Sequence, residues 1–191
     1  MNKYIIPVSN SPFNSPIAEI STYSWEKNGY SPKTTAKLAI NDEKLMLYME
    51  CEEANPLAKC TVDESEIWCD SCMEFFFAPN DEKRYCNLEI NANGCTICGL
   101  GESRFDRVKA DFLLSPIVAK IDADKWSVYA EISLEKLKKL YGDITFKSFR
   151  GNLYKCGDET EFPHFGMWSA VKTETPDFHR PEFFGEFLIE K

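Results

Sequence analysis

The stretch Cys72-Met-Glu-Phe-Phe-Phe-Ala-Pro-Asn-Asp-Glu-Lys-Arg-Tyr-Cys-Asn-Leu-Glu-Ile-Asn91 has the pattern of a β-hairpin. Residues 73–77 and 84–92 are rich in aromatic and aliphatic side chains and flank the turn-forming Pro79-Asn80-Asp81. Successive side chains of a strand point to opposite faces of the sheet, so alternate positions form two sets. One set is entirely apolar, and we expect it in a hydrophobic core: Met73, Phe75, Phe77, Cys86, Leu88 and Ile90.

The other face of the predicted hairpin is mostly polar. Its members are Asp70, Cys72, Glu74, Phe76, Tyr85, Asn87, Glu89 and Asn91, with Trp68 at the rim. Residues 146–154 divide in the same way, with Phe149 and Leu153 pointing inward. Those pointing outward are Ser148, Arg150, Asn152 and Tyr154. One sheet face is therefore predicted to present Glu74, Asn87, Glu89, Asn91, Arg150 and Asn152.

This polar face has the chemistry of a sugar-binding surface. Each sugar hydroxyl both donates and accepts hydrogen bonds, which suits Asn, Glu and Arg side chains. The apolar C–H face of a pyranose packs on an indole or phenol ring. The alternative is an ordinary solvated face, which antiparallel sheets commonly have. We favour ligand binding because carboxamides and Arg, rather than Lys, Thr and Ser, occupy the face.

Further strand signals predict an all-β protein. The only convincing helix is short, beginning at the N-cap Ser133 and ending at Gly142. Many short strands with turns between them indicate an immunoglobulin-like antiparallel β-sandwich with one short helix. The additional strand-like runs are 37–40, 45–52, 117–121, 126–132, 144–154 and 183–189.

Length and charge restrict the classes of partner. No linker of biased composition divides the 191 residues, so a single domain spanning 1–191 is predicted. The chain has 22 Lys and Arg against 31 Asp and Glu, a net charge of −9, which argues against binding to nucleic acid or to an anionic membrane surface. No apolar run approaches the roughly 20 residues of a membrane helix. We expect neither nucleic acid nor membrane as a partner.

The eight cysteines raise the alternative of a zinc site. Cys69, Cys72, Cys95 and Cys98 nearly match the spacing of a four-cysteine zinc ribbon. Cys72 lies in a predicted strand, where positions three apart point to opposite faces, so Cys69 and Cys72 are expected to diverge. No metal ligand is therefore predicted. Free, buried thiols favour a reducing location such as the cytoplasm. The sequence as written shows no signal peptide, although a leader could have been trimmed from it.

Four blocks of the sequence resemble family 9 carbohydrate-binding modules and their stand-alone relatives. The first two are Trp68-Cys-Asp-Ser-Cys-Met-Glu-Phe-Phe-Phe-Ala-Pro and Tyr85-Cys-Asn-Leu-Glu-Ile-Asn-Ala-Asn-Gly. The later two are Phe149-Arg-Gly-Asn-Leu-Tyr-Lys-Cys-Gly-Asp and Asp177-Phe-His-Arg-Pro-Glu-Phe-Phe-Gly. Trp25 and the hairpin at 32–52 fit the family's opening, so the resemblance covers residues 25–188.

The resemblance implies a β-sandwich related to the DOMON group and non-catalytic binding of a glucose- or xylose-type mono- or oligosaccharide. In this family two tryptophans clamp the sugar ring. Trp68 matches the first of them, and Trp168 is the best match for the second. Polar motif positions of the same blocks are occupied by Glu74, Asn87, Arg150 and Asn152. Family members can also carry structural calcium, but no calcium site is assigned because Asp122-Ala-Asp124 is predicted to be a hairpin turn. No other cofactor is predicted.

Two alternatives to carbohydrate binding stay open. Glu74 and Glu89 are candidates for the carboxylate pair of a glycoside hydrolase or another sugar-modifying enzyme, although no catalytic residue is predicted. The fold is also compatible with an interaction module that has lost its sugar site. Burial of Trp68 or Trp168 in the core would favour the interaction module.

Overall fold

In the computed structural model, which describes residues 2–142 and 144–191, the chain forms thirteen β-strands and one α-helix. The strands in chain order are β1 (Lys3–Ile6), β2 (Ala18–Ile20), β3 (Thr34–Ile40), β4 (Lys44–Cys51), β5 (Cys72–Pro79), β6 (Tyr85–Asn91), β7 (Thr96–Gly101), β8 (Val108–Lys109), β9 (Val118–Ile121), β10 (Trp126–Ser133), β11 (Ser148–Gly157), β12 (His164–Met167) and β13 (Gly185–Ile189). The helix α1 is Leu134–Tyr141, and short 3-10 turns lie at Ile67–Cys69, Asp111–Leu113 and Pro181–Phe183. Met1 and Asp143 belong to the predicted domain 1–191 but lie outside the described residues.

The strands build two sheets packed face to face. The larger sheet has the order β1-β13-β11-β5-β6-β7-β8, with β12 also paired to β11, and the smaller has the order β2-β3-β4-β10-β9. Among the strands described, every pairing is antiparallel except that of β1 with β13, which is parallel. The predicted β-sandwich with one short helix is confirmed. No helix in the described residues is long and apolar enough to cross a membrane.

The predicted hairpins form where their turn residues indicate. Between β3 and β4, the side-chain oxygen of Asn41 accepts hydrogen bonds from the backbone N–H groups of Glu43 and Lys44. Between β9 and β10, the N–H of Asp122 donates to the carbonyl of Lys125, as expected for the turn predicted there. These local hydrogen bonds fix the register of the strands on either side.

The helix α1 has the predicted caps. The hydroxyl of Ser133 accepts a hydrogen bond from the backbone N–H of Lys136 at its start. Gly142 ends it in the left-handed region, with φ of 83°. Leu134 and Leu137 are buried and belong to the hydrophobic core, so the helix packs against the sandwich.

The hydrophobic core lies between the two sheets. All six apolar side chains predicted from β5 and β6 belong to it. The smaller sheet contributes its own alternating set from β4 and β10: Leu45, Leu47, Met49, Cys51, Trp126, Val128, Ala130 and Ile132. The two-residue periodicity of the strands therefore identified the core correctly.

The polar face of the larger sheet is not the ordinary solvated surface considered as the alternative to a binding face. A second cluster of buried residues covers it: Trp25, Ile67, Cys72, Phe76, Ala78, Tyr85, Tyr154, Cys156, Met167, Val171, Phe178 and Phe184. Several of these belong to connecting segments that fold over the sheet. Strand alternation assigns side chains to a face, but it carries no information on whether a loop covers that face.

A buried ion pair lies near the edge of the core. The Lys155 ammonium is 3.2 Å from the Glu53 carboxylate, and both side chains are buried. Glu53 also accepts hydrogen bonds from the indole N–H of Trp126 at 2.8 Å and from the hydroxyl of Ser71 at 3.0 Å. The Lys155 nitrogen lies 2.6 Å from Nε2 of His164. Both charges are thus paired and hydrogen-bonded, as buried charges require.

Candidate ligand-binding cavity

A cavity of about 560 Å³ opens on the outer face of the larger sheet. This volume falls within the roughly 300–1,000 Å³ typical of small-molecule sites. Strands β5, β6 and β11 supply its floor, and the segments around residues 104–107 and 176–179 supply its walls. The lining side chains are Trp68, Glu74, Phe76, Asn87, Glu89, Ile97, Arg104, Arg107, Cys156, Asp158, Phe165, Pro176, Asp177, Phe178 and His179.

Two carboxyl groups form the centre of the floor. Glu74 on β5 is the direct cross-strand partner of Glu89 on β6, and their exposed fractions are 3% and 6%. Burial, together with the neighbouring Cys156 and Glu89, raises the pKa of Glu74 well above its usual range. Burial also raises the pKa of Glu89 to about 7, against the opposing effect of a hydrogen bond from Asn87. The raised pKa values favour the protonated forms of the two carboxyl groups, and a protonated carboxyl can both donate and accept hydrogen bonds.

Asn87 connects the floor to the wall. Its amide nitrogen donates to a Glu89 oxygen at 2.8 Å, and its amide oxygen accepts from Nε of Arg107. Arg107 also donates to the backbone carbonyls of Tyr85 at 2.8 Å and Gly99 at 3.2 Å. A Cβ atom at Gly99 would lie 2.7 Å from the Asn87 oxygen and 3.0 Å from the Arg107 nitrogen. The missing side chain at Gly99 thus allows this close approach.

The wall loop between β7 and β8 is ordered by its own hydrogen bonds. The Asp106 carboxylate accepts from the backbone N–H groups of Glu102 at 3.1 Å and Ser103 at 2.8 Å, and from the Ser103 hydroxyl at 2.9 Å. These hydrogen bonds lower the pKa of Asp106 to about 2. Arg104 of the same loop lies 3.2 Å from Asp177 on the opposite wall. The ion pair joins the two walls of the cavity.

His179 lines the cavity as a neutral side chain. Its Nδ1 atom lies 2.9 Å from the hydroxyl of Tyr85, and its ring centroid lies 4.9 Å from that of Phe76. Burial lowers the pKa of His179 to about 3, and the nearby Arg107 and Arg104 act in the same direction. A neutral imidazole therefore forms hydrogen bonds here without adding charge.

Trp68 is the exposed aromatic residue of the cavity. It lies in the 3-10 turn Ile67–Cys69, and its side chain is 38% exposed. Buried Ile67 anchors this turn in the second cluster, and the carbonyl of Trp68 accepts from the N–H of Asp158 at 3.3 Å. Phe165 and Phe178 also line the cavity. An indole ring on an anchored backbone, facing a cavity with polar groups, is an arrangement suited to stacking on a ligand ring.

Trp168 lies away from the cavity, which corrects the predicted clamp of two tryptophans. Its side chain is 7% exposed and belongs to the core between the sheets, where its ring centroid is 4.7 Å from that of Phe187. Trp68 lines the cavity on the opposite side of the larger sheet. The two rings therefore cannot enclose one ligand, because the sheet separates them.

Three further predicted site residues are used in internal hydrogen bonds. The Asn91 amide donates to Asp70 at 2.9 Å, and the Asn152 amide donates to the carbonyl of Ser169 at 2.7 Å. Arg150 donates to the carbonyl of Glu82 at 3.3 Å. None of these three lines the cavity as described. Of the eight predicted residues, the cavity brings together Trp68, Glu74, Asn87 and Glu89.

The four cysteines with zinc-ribbon spacing do not converge. Cys98 lies in the core between the sheets, whereas Cys72 belongs to the cluster on the outer face. Cys69 and Cys95 are half-buried. The sheet lies between the sulfur atoms of Cys98 and Cys72, so they cannot share one metal ion.

Most residues of the cavity wall were not predicted from the sequence. The residues concerned are Ile97, Arg104, Arg107, Asp158, Phe165, Pro176, Asp177, Phe178 and His179. Most of them lie in connecting segments, which have no periodicity to interpret. Asp177, Phe178 and His179 fall within the fourth sequence block, and that block was the available signal for this wall.

Comparisons with known proteins agree on one family and one fold. The family model of carbohydrate-binding family 9 matches residues 12–189. A crystal structure of a proposed carbohydrate-binding protein from Bacteroides uniformis ATCC 8492 has a TM-score of 0.83 at 22% identity, covering 98% of this chain and 99% of that one. No curated protein sequence matches the chain at a significant level.

Two further similar structures are family 9 carbohydrate-binding modules from Caldicellulosiruptor kristjanssonii. The one in complex with glucose has a TM-score of 0.73 at 12% identity, covering 99% of this chain and 96% of that one. The one in complex with cellotriose has a TM-score of 0.71 at 12% identity, covering 99% and 94%. At these identities the likeness establishes the fold.

Proposed function

The chain belongs to carbohydrate-binding family 9, and on that basis we propose that its cavity binds a mono- or oligosaccharide of the glucose or xylose type. The observation that carries the proposal is the position of exposed Trp68 beside the buried polar groups of Glu74, Asn87 and Glu89 in one cavity. The similar Caldicellulosiruptor kristjanssonii modules were solved with glucose and with cellotriose, which supports this class of ligand.

Trp68 supplies the stacking surface in this proposal. The C–H face of a pyranose is apolar, and it packs against the exposed part of the indole ring. With Trp168 in the core, the second wall is assigned to the apolar side chains of Ile97, Phe165 and Phe178. The ligand ring would therefore contact one tryptophan rather than two.

The floor supplies the hydrogen bonds. Asn87 is occupied by Glu89 and Arg107, so it positions the Glu89 carboxyl rather than contacting the sugar. One oxygen of Glu89 and one oxygen of Glu74 lack a partner among the hydrogen bonds of the described residues. We assign these two atoms to sugar hydroxyls, which both donate and accept.

We also propose that binding is not followed by bond cleavage. The proposal rests on the family, whose model is one of carbohydrate binding, and on the similar Caldicellulosiruptor kristjanssonii modules, which were solved with glucose and with cellotriose. A chromogenic glycoside that is hydrolysed, with activity lost in Glu74→Gln, would contradict this assignment.

The burial of Trp168 is the feature that would favour an interaction module without a sugar site. Against that alternative, the cavity retains an exposed tryptophan and two buried carboxyl groups, which a protein-docking surface does not require. Glu74 and Glu89 line the cavity, and each keeps one carboxyl oxygen without a partner among the hydrogen bonds of the described residues, which favours a polar ligand.

Calorimetric titration tests the proposal directly. Glucose, xylose, cellobiose and xylobiose are titrated into the protein, with Trp68→Ala as the matched variant. We expect dissociation constants in the micromolar to millimolar range, about −8 to −4 kcal/mol, and no measurable heat with Trp68→Ala. Flat heats for all four sugars at high concentrations of the wild-type protein would overturn the proposal.

We further propose that the protein works in a reducing compartment, as in the cytoplasm. All eight cysteines are free in the structure, including the direct cross-strand partners Cys72 and Cys156. Mass determination of protein taken from cells with its thiols trapped by alkylation would show eight modified cysteines. A disulfide in that sample would contradict the assignment.

A further inference from the structure

Two thiols and a carboxyl group converge at the floor of the cavity. Cys72 on β5 and Cys156 on β11 are direct cross-strand partners, and Glu74 lies two positions along β5 on the same face. One ligand atom from each of the three residues lies within 4.8 Å of the other two. The Cys156 sulfur is 3.1 Å from a Glu74 oxygen. All three side chains are buried.

These distances are close to those of a tetrahedral metal site. With Zn–S bonds of about 2.3 Å and Zn–O bonds of about 2.0–2.2 Å, tetrahedral ligand atoms lie roughly 3.5–3.8 Å apart. The cluster therefore needs only small side-chain rotations to reach that geometry. Two sulfur ligands select a thiophilic cation, and three protein ligands leave a fourth position open.

The cluster is accessible from the cavity. Glu74 and Cys156 line the cavity, while Cys72 lies beneath them. Glu74 takes part in none of the ion pairs formed by the described residues. Among those residues, therefore, no lysine or arginine competes with a metal ion for the Glu74 carboxylate. A cation can thus enter through the cavity and meet ligands that are already close together.

We infer that Cys72, Cys156 and Glu74 form a binding site for a thiophilic divalent cation, with Zn²⁺ as the expected occupant. Binding replaces the protons of the two thiols and of the Glu74 carboxyl, and these protons are released to solvent. The fourth coordination position faces the cavity, where a water molecule or a ligand hydroxyl completes the site. This site differs from the four-cysteine arrangement considered from the sequence spacing, because it shares only Cys72 with that set.

The inference stands on the geometry of the three side chains and does not require that the protein binds sugar. Its test therefore uses metal binding alone as the readout. Failure of the sugar titrations would leave the metal site unaffected, and failure of the metal titrations would leave the sugar proposal unaffected.

The test is titration of the reduced, chelator-treated protein with Co²⁺, followed by absorption spectroscopy. Thiolate-to-cobalt charge transfer gives an intense near-ultraviolet band. We expect the band to saturate at one equivalent of Co²⁺ and to disappear on addition of Zn²⁺. Cys72→Ser and Cys156→Ser should abolish it, and Glu74→Gln should weaken Co²⁺ binding at least tenfold. Cys60→Ser, in a half-buried cysteine outside the cluster, is the matched control and should leave the band unchanged.

A measurement on the wild-type protein guards against variants that fail to fold. X-ray absorption at the zinc edge of the Zn²⁺-loaded protein should show two sulfur ligands at about 2.3 Å and oxygen ligands at about 2.0–2.2 Å. The inference is overturned if wild-type protein gives no charge-transfer band, if the band depends on Cys60, or if the zinc shell contains four sulfurs or none.

Discussion

The guanidinium group of Arg107 lies over the ring of Tyr85, with its Cζ atom 4.4 Å from the ring centroid. The same side chain donates to the Tyr85 carbonyl and to the amide oxygen of Asn87. Asn87 in turn donates to Glu89 on the cavity floor. A residue of a loop therefore determines the orientation of a carboxyl group on the sheet, so loop and floor act as one unit.

Replacing Arg107 by lysine should weaken ligand binding. Lysine keeps the charge but lacks the planar group that donates to four partners at once, Asn87, Ser103, Tyr85 and Gly99. We expect the dissociation constant for the sugar to rise about tenfold, or about 1.4 kcal/mol, and the free energy of unfolding to fall by about 1–3 kcal/mol. Calorimetry and urea unfolding measure the two effects. Arg84→Lys is the control, because the Arg84 guanidinium lies over the ring of Tyr141 and donates to the carbonyl of Leu140, outside the cavity lining. Equal affinities of the two variants would contradict the proposed link.

Trp68 and Trp168 should have opposite roles. Trp68 is exposed at the cavity, so Trp68→Ala should remove sugar binding and change the free energy of unfolding by less than about 1 kcal/mol. Trp168 lies in the core, so Trp168→Ala should lower the free energy of unfolding by about 3–5 kcal/mol. Denaturant unfolding and calorimetry on each variant make the comparison. The variant with the milder substitution Trp168→Phe should bind sugar normally. If this variant is stably folded but does not bind sugar, Trp168 contributes to the binding site.

The buried pair of Lys155 and Glu53 should be strongly coupled. Lys155→Met leaves the Glu53 carboxylate buried without its partner, so we expect the free energy of unfolding to fall by about 3–5 kcal/mol. Adding Glu53→Gln to the same protein should recover most of that loss. The exposed pair of Lys3 and Glu186 provides the matched control, and Lys3→Met should cost less than about 1 kcal/mol. Additive losses in the double variant would argue against coupling.

His164 should make the protein less stable as the pH falls. Burial, with the nearby Lys155 ammonium, lowers the pKa of His164 to about 4, while Glu53 opposes the shift. In the unfolded chain the pKa is about 6.5, so below that pH the unfolded state binds a proton that the folded state does not. The stabilising contribution of neutral His164 is therefore present above pH 6.5 and is lost as the pH falls toward 4.

Urea unfolding at pH 7.5 and pH 5 measures the His164 effect. Wild-type protein should lose about 2 kcal/mol more than His164→Gln between these two pH values. The variant is needed as a reference because Glu89 changes the free energy of unfolding in the opposite direction. Its raised pKa makes the folded protein more stable as the pH falls over the same pH range. Equal pH dependence of the two proteins would show that the pKa of His164 is the same in the folded and the unfolded protein.

The sequence predicted the sandwich and the core because both depend on local patterns. Residues 73–77 and 84–92 carry apolar side chains at every second position. In a strand these side chains point to one face of the sheet, and that face is buried in the core. The caps Ser133 and Gly142 marked the helix for equally local reasons. Glu74, Asn87 and Glu89 were identified because they share the face opposite to the core.

The tertiary structure alone determined which polar residues reach the ligand cavity. Asn91 and Asn152 lie on the same face as Glu74, yet they are buried beneath covering segments and bonded to Asp70 and Ser169. Trp168 lies on the other side of the sheet, among core residues. Backbone geometry makes successive side chains of a strand point to opposite faces of the sheet, so this pattern can be read from a single segment of the sequence. Whether a sheet face is covered depends on contacts between segments far apart in the chain, and such contacts produce no periodic pattern in the sequence.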